Sequence, residues 1–341
     1  MDIPRVGCFV VYEPAEEGWG DFALQAKQLE ADLAATGVQV VSAPEPVKDI
    51  ESCERVGIWF SENRVDLLHA LLVTWSFDHY SILIQQAVRL PLAVRSIPGI
   101  RTGSLVVGEQ LGCLLTDIQT PYRLFFAPLG NAAAAEQTAI FARACMLKKR
   151  LYGARVAVIG RRTEGMTPTA VDEVEILQLF GIRLLNFGLD EFYEFRKQVT
   201  ANQARNRWRE AAAKARDVTS QEDHGVNAMQ NYLALKQMAQ DLKLSAISIG
   251  SYPQCQGTMC VPIGLLNDDG IPTGCEGDVN STIAMLILSL LSDSAVHFGE
   301  MLDVDRGQNT IVSSHCGCGS PSLANQDGYI LCPVRLANDG V

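Results

Sequence analysis

Residues 274–320 concentrate ionisable groups within apolar surroundings: GCEGDVNSTIAMLILSLLSDSAVHFGEMLDVDRGQNTIVSSHCGCGS. Glu276 stands just before a long apolar run, Glu300 follows Val296-His297-Phe298, and His315 follows Thr310-Ile311-Val312-Ser313-Ser314. Two carboxylates and one imidazole that converge offer hard oxygens and a borderline nitrogen, a ligand set that suits a divalent cation such as Mn2+. An imidazole bound through one ring nitrogen needs a partner for the other. Each residue also has an ordinary structural role open to it. Glu276 is a charge favoured at a helix N-terminus, Glu300 a surface loop carboxylate, His315 a satisfied interior histidine. Asp278 and Asp303 compete for the same chemistry, and Asp303 also reads as a loop-capping aspartate.

These residues must be carried to one place by the elements around them. Residues 296–298 and 310–314 read as strands, which sets Glu300 and His315 just past strand carboxyl ends, and 277–291 reads as a buried helix opening after Glu276. In open α/β sheets, ligands gather at the carboxyl ends of strands. Upstream, strand-like runs at 6–12, 38–42, the end of 65–75, 91–95 and 123–127 alternate with helical patterns at 21–36 and 78–90. A long alanine-rich helix is predicted over 131–151. The alternation restarts with Arg155-Val156-Ala157-Val158-Ile159-Gly160, helix 170–180, strand 182–186, helices 202–217 and 224–243, and strand 244–250. The charges of 202–217 read as a solvated face. Strands alternating with helices imply right-handed βαβ units and mainly parallel sheets. The expected fold class is α/β: two consecutive Rossmann-like three-layer α/β/α domains over residues 1–150 and 151–325, with 326–341 starting a third.

Composition narrows the function. A chain of 341 residues suits two domains rather than one core. A net charge of −11 argues against a nucleic-acid partner, because phosphate contacts need clustered Lys and Arg. The longest apolar run, 283–291, is far short of the ~20 residues that cross a bilayer, so no membrane partner is expected. The chain opens directly into a strand pattern rather than a signal peptide, which leads to the expectation of a cytoplasmic protein. Its ten cysteines then read as reduced, mostly buried thiols. Cys316 and Cys318, and Cys255 and Cys260, do not match the paired CxxC knuckles of a zinc ribbon. Gly160 and Gly165 fall short of a GxGxxG turn, and neither a P-loop nor a GxSxG elbow is present.

The site region resembles the L-fucose isomerase / L-arabinose isomerase superfamily of metal-dependent aldose–ketose isomerases. The similarity rests on Cys275-Glu276-Gly277-Asp278 opening an apolar helix, on Phe298-Gly299-Glu300, and on Ser313-Ser314-His315-Cys316-Gly317 ending a strand. Phe180-Gly181-Ile182 and Tyr232-Leu233-Ala234-Leu235-Lys236 extend it upstream, and Val73-Thr74-Trp75 anchors a weaker match in the first domain. It covers most of the chain, most specifically residues 150–320. The resemblance implies that Glu276, Glu300 and His315 hold Mn2+ or another divalent cation, which acts as a Lewis acid on O1 and O2 of an open-chain monosaccharide. It implies that Glu276 and Glu300 also serve as acid and base, moving a proton from C2 to C1 through a cis-enediol. It further implies a homo-oligomer in which Trp75 stacks on the sugar in a neighbouring subunit's site. An ordinary core tryptophan is the other reading of Trp75. Relatives continue into a C-terminal β domain that completes the pocket, of which 326–341 would be the start. None of His69, His79, His224 and His297 stands where that domain's further histidine ligand would be.

Two other functions fit the same pattern. One is a non-catalytic sugar-binding module of two α/β domains, which has no use for acids at 276 and 300. The other is a relative that epimerises, or that acts on a phosphorylated or sulfonated sugar, for which Arg101, Arg161 and Arg162 are candidate anion contacts.

Overall fold

A computed structural model describes residues 2–16, 21–255, 257–315 and 318–334. The chain divides into two compact units, Asp2–Lys149 and Arg150–Val341.

The first unit is built on a five-stranded parallel sheet. In chain order it comprises β1 (Arg5–Val11), α1 (Phe22–Ala34), β2 (Gln39–Ser42), α2 (Ile50–Glu62), β3 (Leu67–Leu72), α3 (Asp78–Val88), β4 (Leu92–Ser96), α4 (Ser104–Asp117), β5 (Tyr122–Phe126) and most of α5 (Ala132–Leu151). The strand order is β2-β1-β3-β4-β5. The central strand β3, LLHALL, is buried along its whole length, as a parallel strand covered on both faces must be. One face packs on Val56 and Phe60 of α2, Ile84 of α3 and Leu111 of α4; the other packs on Leu29 and Leu33 of α1 and on Ala135 and Ala139 of α5. The result is three layers.

The second unit repeats the plan. It contains β6 (Arg155–Ile159), α6 (Glu173–Phe180), β7 (Arg183–Phe187), α7 (Leu189–Lys197), α8 (Ala201–Lys214), β8 (Asp217–Val218), α9 (Glu222–Leu242), β9 (Ala246–Ile249), α10 (Cys260–Asp268), β10 (Thr273–Gly274) and α11 (Val279–Ser292). Then come β11 (Glu300–Asp305), β12 (Thr310–Ser314) and β13 (Ile330–Leu331). The parallel sheet runs β10-β9-β6-β7, so the strand order reverses between β6 and β9. The polar helix α8 turns Ala204, Trp208 and Ala211 inward and leaves its charges outside.

The structure departs from the sequence reading in two places that matter for the site. Residues 296–298 form no strand; Glu300 is instead the first residue of β11. In addition, β11 and β12 are not part of the parallel sheet but pair with each other as an antiparallel hairpin. The β-branched and apolar residues of 296–298 suggested a strand, but Phe298 spends its burial on the core of the unit rather than on a ladder.

Candidate active site

The second unit's topology creates a crevice where its strand order reverses, between the carboxyl ends of β6 and β9, the usual place for a ligand in an open sheet. Three loops meet there: 160–163 after β6, 250–252 after β9 and 275–278 after β10. Their approach is close enough to require glycine. A Cβ on Gly250 would stand 2.1 Å from the Arg161 carbonyl oxygen, and one on Gly277 would stand 2.8 Å from Arg162 Cα.

Glu276 lies at the centre of this meeting. Its φ is +63°, in the left-handed region that costs a non-glycine residue on the order of 1 kcal/mol or more. The conformation is held from both sides. The Glu276 carbonyl accepts hydrogen bonds from the Thr163 amide at 3.0 Å and the Thr163 hydroxyl at 3.3 Å. The Gly277 amide donates to the Ile249 carbonyl at 2.9 Å. The strained backbone thus fixes Glu276 at the strand-end crevice. The cap of α11 is supplied by Asp278, whose carboxylate accepts from the Ser281 amide at 2.9 Å and the Ser281 hydroxyl at 2.7 Å. Asp278 is therefore the N-cap of α11.

The hairpin brings the other two groups. Glu300 pairs with Ser314 across it, so His315, the next residue, comes beside Glu300 at the same end. The Phe298 ring packs against the His315 imidazole, with centroids 4.7 Å apart and planes at 48°. On its Nδ1 side the imidazole meets Cys318 Sγ at 3.4 Å. Burial and the neighbouring His315 hold His297 below the ordinary imidazole range.

Carboxylate oxygens of Glu276 and Glu300 and a ring nitrogen of His315 all lie within 4.8 Å of one another. Adjacent ligands around a small octahedral cation stand roughly 3 Å apart, so modest side-chain movement would let these three share one ion. They face a pocket of about 190 Å³ with Ser251, Tyr252, Cys255, Cys260 and Cys275. Burial pushes the Cys255 thiol up, and Tyr193 Oη lies 3.7 Å from its sulfur. Sequence reasoning had no signal for the 250–255 loop, because its contribution depends on where β9 ends beside β6.

The remaining candidates fall elsewhere. Asp303 is exposed on β11 and caps the amide of Val304; among the described residues it joins no ligand cluster. Trp75 belongs to the first unit, partly buried after β3, with its amide donating to Thr102 and its ring 5.3 Å from Phe77. Arg101 is also in the first unit. Arg161 and Arg162 belong to the loop that packs on Gly277, and Arg162 Nη1 is buried with no hydrogen-bond partner among the described residues. Cys316 lies outside the described residues, as does the stretch 335–341 of the expected third domain.

No family model matches the chain. It is similar to a protein named sulfoquinovose isomerase from Priestia megaterium, at 23% identity over 84% of this chain and 67% of that one. A sulfoquinovose isomerase from Alkalicoccus urumqiensis is 26% identical over 73% of this chain and 57% of its own. The chain thus spans about two thirds or less of the length of these relatives. Among solved structures, a glucose-galactose binding protein from Geobacillus stearothermophilus aligns over 87% of this chain and 94% of its own, at 13% identity and a TM-score of 0.23, too low to support an inference.

Proposed function

We propose that this chain is a divalent-metal-dependent aldose–ketose isomerase of the L-fucose / L-arabinose isomerase type, acting on a sulfonated monosaccharide. The observation that carries the reading is the convergence of Glu276, Glu300 and His315 within 4.8 Å at the strand-end crevice. The relatives named as isomerases of a sulfonated sugar support the reaction class and suggest the substrate.

In this account Glu276, Glu300 and His315 hold Mn2+ or another divalent cation, which when bound supplies Lewis acidity to the sugar's carbonyl and adjacent hydroxyl. One glutamate accepts the C2 proton; the electron pair left behind forms the C1=C2 bond of a cis-enediol. The proton is then delivered to C1, while the hydroxyl proton of O2 passes to O1 and C2 becomes the carbonyl. The strained backbone of Glu276 fixes the carboxylate so that little reorganisation accompanies the transfer. Phe298 orients the imidazole. Arg162 belongs to the loop packed on the Glu276 turn and is assigned the positive charge for a sulfonate, which requires its buried Nη1 to turn toward the pocket.

Metal-stripped protein assayed with Mn2+ against a panel of sulfonated and neutral aldoses tests this. The expected result is ketose formation that needs the cation and prefers the sulfonated aldose, with Arg162→Gln raising KM for that substrate at least tenfold and leaving neutral aldoses unaffected. Tight binding of sugar with no turnover in the presence of metal would favour the non-catalytic binding module instead.

A further inference from the structure

His315 stands between two ligand sets. Besides the oxygen set, Cys275 Sγ, a His315 ring nitrogen and Cys318 Sγ also lie within 4.8 Å of one another. Cys275 is the residue before Glu276, and both cysteines are buried, at 4% and 0% exposure. Tetrahedral zinc, with Zn–S near 2.3 Å and Zn–N near 2.0 Å, needs sulfur–nitrogen edges of roughly 3.5 Å and sulfur–sulfur edges of roughly 3.8 Å. The Cys318 Sγ to His315 Nδ1 separation is already 3.4 Å. The Ser251 hydroxyl, 2.8 Å from Cys275 Sγ, is placed to hydrogen-bond a thiolate there. Cys275 also lines the pocket, so a fourth, solvent ligand has access. The spacing of these residues gave no warning of the cluster, since the two cysteines, 43 positions apart, come together only in the tertiary fold.

We propose that Cys275, His315 and Cys318 form a second, thiolate-rich site for a soft divalent cation of the zinc class, and that it competes with Glu276 and Glu300 for His315. Binding is ligand exchange without redox change. Each thiol releases its proton to solvent as its sulfur–metal bond forms, two protons per ion. Sulfur ligands favour zinc-like ions and carboxylates favour manganese and magnesium, so metal identity selects the set. One imidazole cannot serve two dications so close together without losing its second ring proton, which makes occupancy exclusive. The competition rests on the function proposed above; the thiolate site does not.

Co2+ is the probe. Titrating the full chain with it is expected to give intense sulfur-to-cobalt charge-transfer absorption saturating at one equivalent with release of two protons, and Zn2+ is expected to reverse the absorption with no further proton release. Cys275→Ser and Cys318→Ser should each abolish most of that absorption, while Glu276→Gln keeps it. Absence of the absorption in the wild-type chain overturns the site without recourse to any variant, as does undiminished absorption in both serine variants. Competition is read by the magnetic resonance of free Mn2+: one equivalent of Zn2+ should release bound Mn2+ from the wild-type protein. Retention of Mn2+ beside bound Zn2+ overturns the competition. If Mn2+ never binds yet the cobalt–thiolate absorption forms, the thiolate site stands and the isomerase reading falls.

Discussion

At the scale of single residues, the molecule keeps two kinds of ionisable group in costly positions. Glu276 accepts a left-handed backbone to stand at the crevice, and the amides and hydroxyl that hold it there explain how the cost is sustained. His69 is the other case. It sits on β3 with no exposed surface, and neither ring nitrogen has a hydrogen-bond partner among the described residues. Burial, reinforced by the Arg95 charge, holds its pKa down at about 3. The folded state therefore keeps this imidazole neutral, while the unfolded chain protonates it near pH 6.5. The stability it contributes is complete above pH 6.5 and is lost as pH falls from there toward 3, at up to about 1.4 kcal/mol per pH unit for one proton. Melting measured across that window should show a shallower acid loss in His69→Leu than in the wild type. Identical slopes would mean that the imidazole does not resist protonation.

Elements explain why these residues meet. The 160–163 loop after β6 buttresses the Glu276 turn, and it can approach only because residue 250 has no side chain. Gly250→Ala should push the Arg161 carbonyl away, destabilise the second unit by about 1–3 kcal/mol as overpacking does, and weaken divalent-cation affinity at least tenfold. Unchanged cation affinity, read by titration calorimetry alongside urea unfolding, would separate the loop from the site. Much of this architecture could be read from the chain. The apolar runs at β1, β3, β6 and β9 and the alternation with helices define parallel sheets. The helices α2 and α4 escaped, α4 because Gly108 and Gly112 weaken its helical signal, and α10 because Pro262 and Gly264 stand inside it. Glu276 precedes the apolar helix and His315 follows a strand, as the sequence indicates, whereas Glu300 opens a strand instead of following one: its position depends on the pairing of β11 with β12, a tertiary choice that Val296-His297-Phe298 does not reveal. Arg162 stood out only as one of three candidate anion contacts, and the clustering of Cys275 with Cys318 was hidden because it too depends on tertiary folding.

On the scale of the whole molecule, the catalytic proposal needs only the unit Arg150–Val341, since the three ligand candidates and the Thr163 and Gly277 contacts all belong to it. The first unit, with Trp75, supplies a complete three-layer sheet of its own. The hairpin that carries Glu300 leaves Met301, Leu302, Val304, Ile311 and Val312 exposed. No helix among the described residues is long and apolar enough to cross a membrane. In the proposed reaction the two glutamates move the sugar's C2 proton with the help of a divalent cation. Its most direct measurement is isomerisation of a sulfonated aldose in D2O, with Mn2+ present, following deuterium entry at C1 of the ketose by NMR for the wild type, Glu276→Gln and Glu300→Gln. Cation-dependent turnover with deuterium at C1 is expected, with a loss of about 10²–10⁴-fold in each variant. Turnover that survives in both variants at the wild-type rate would contradict it.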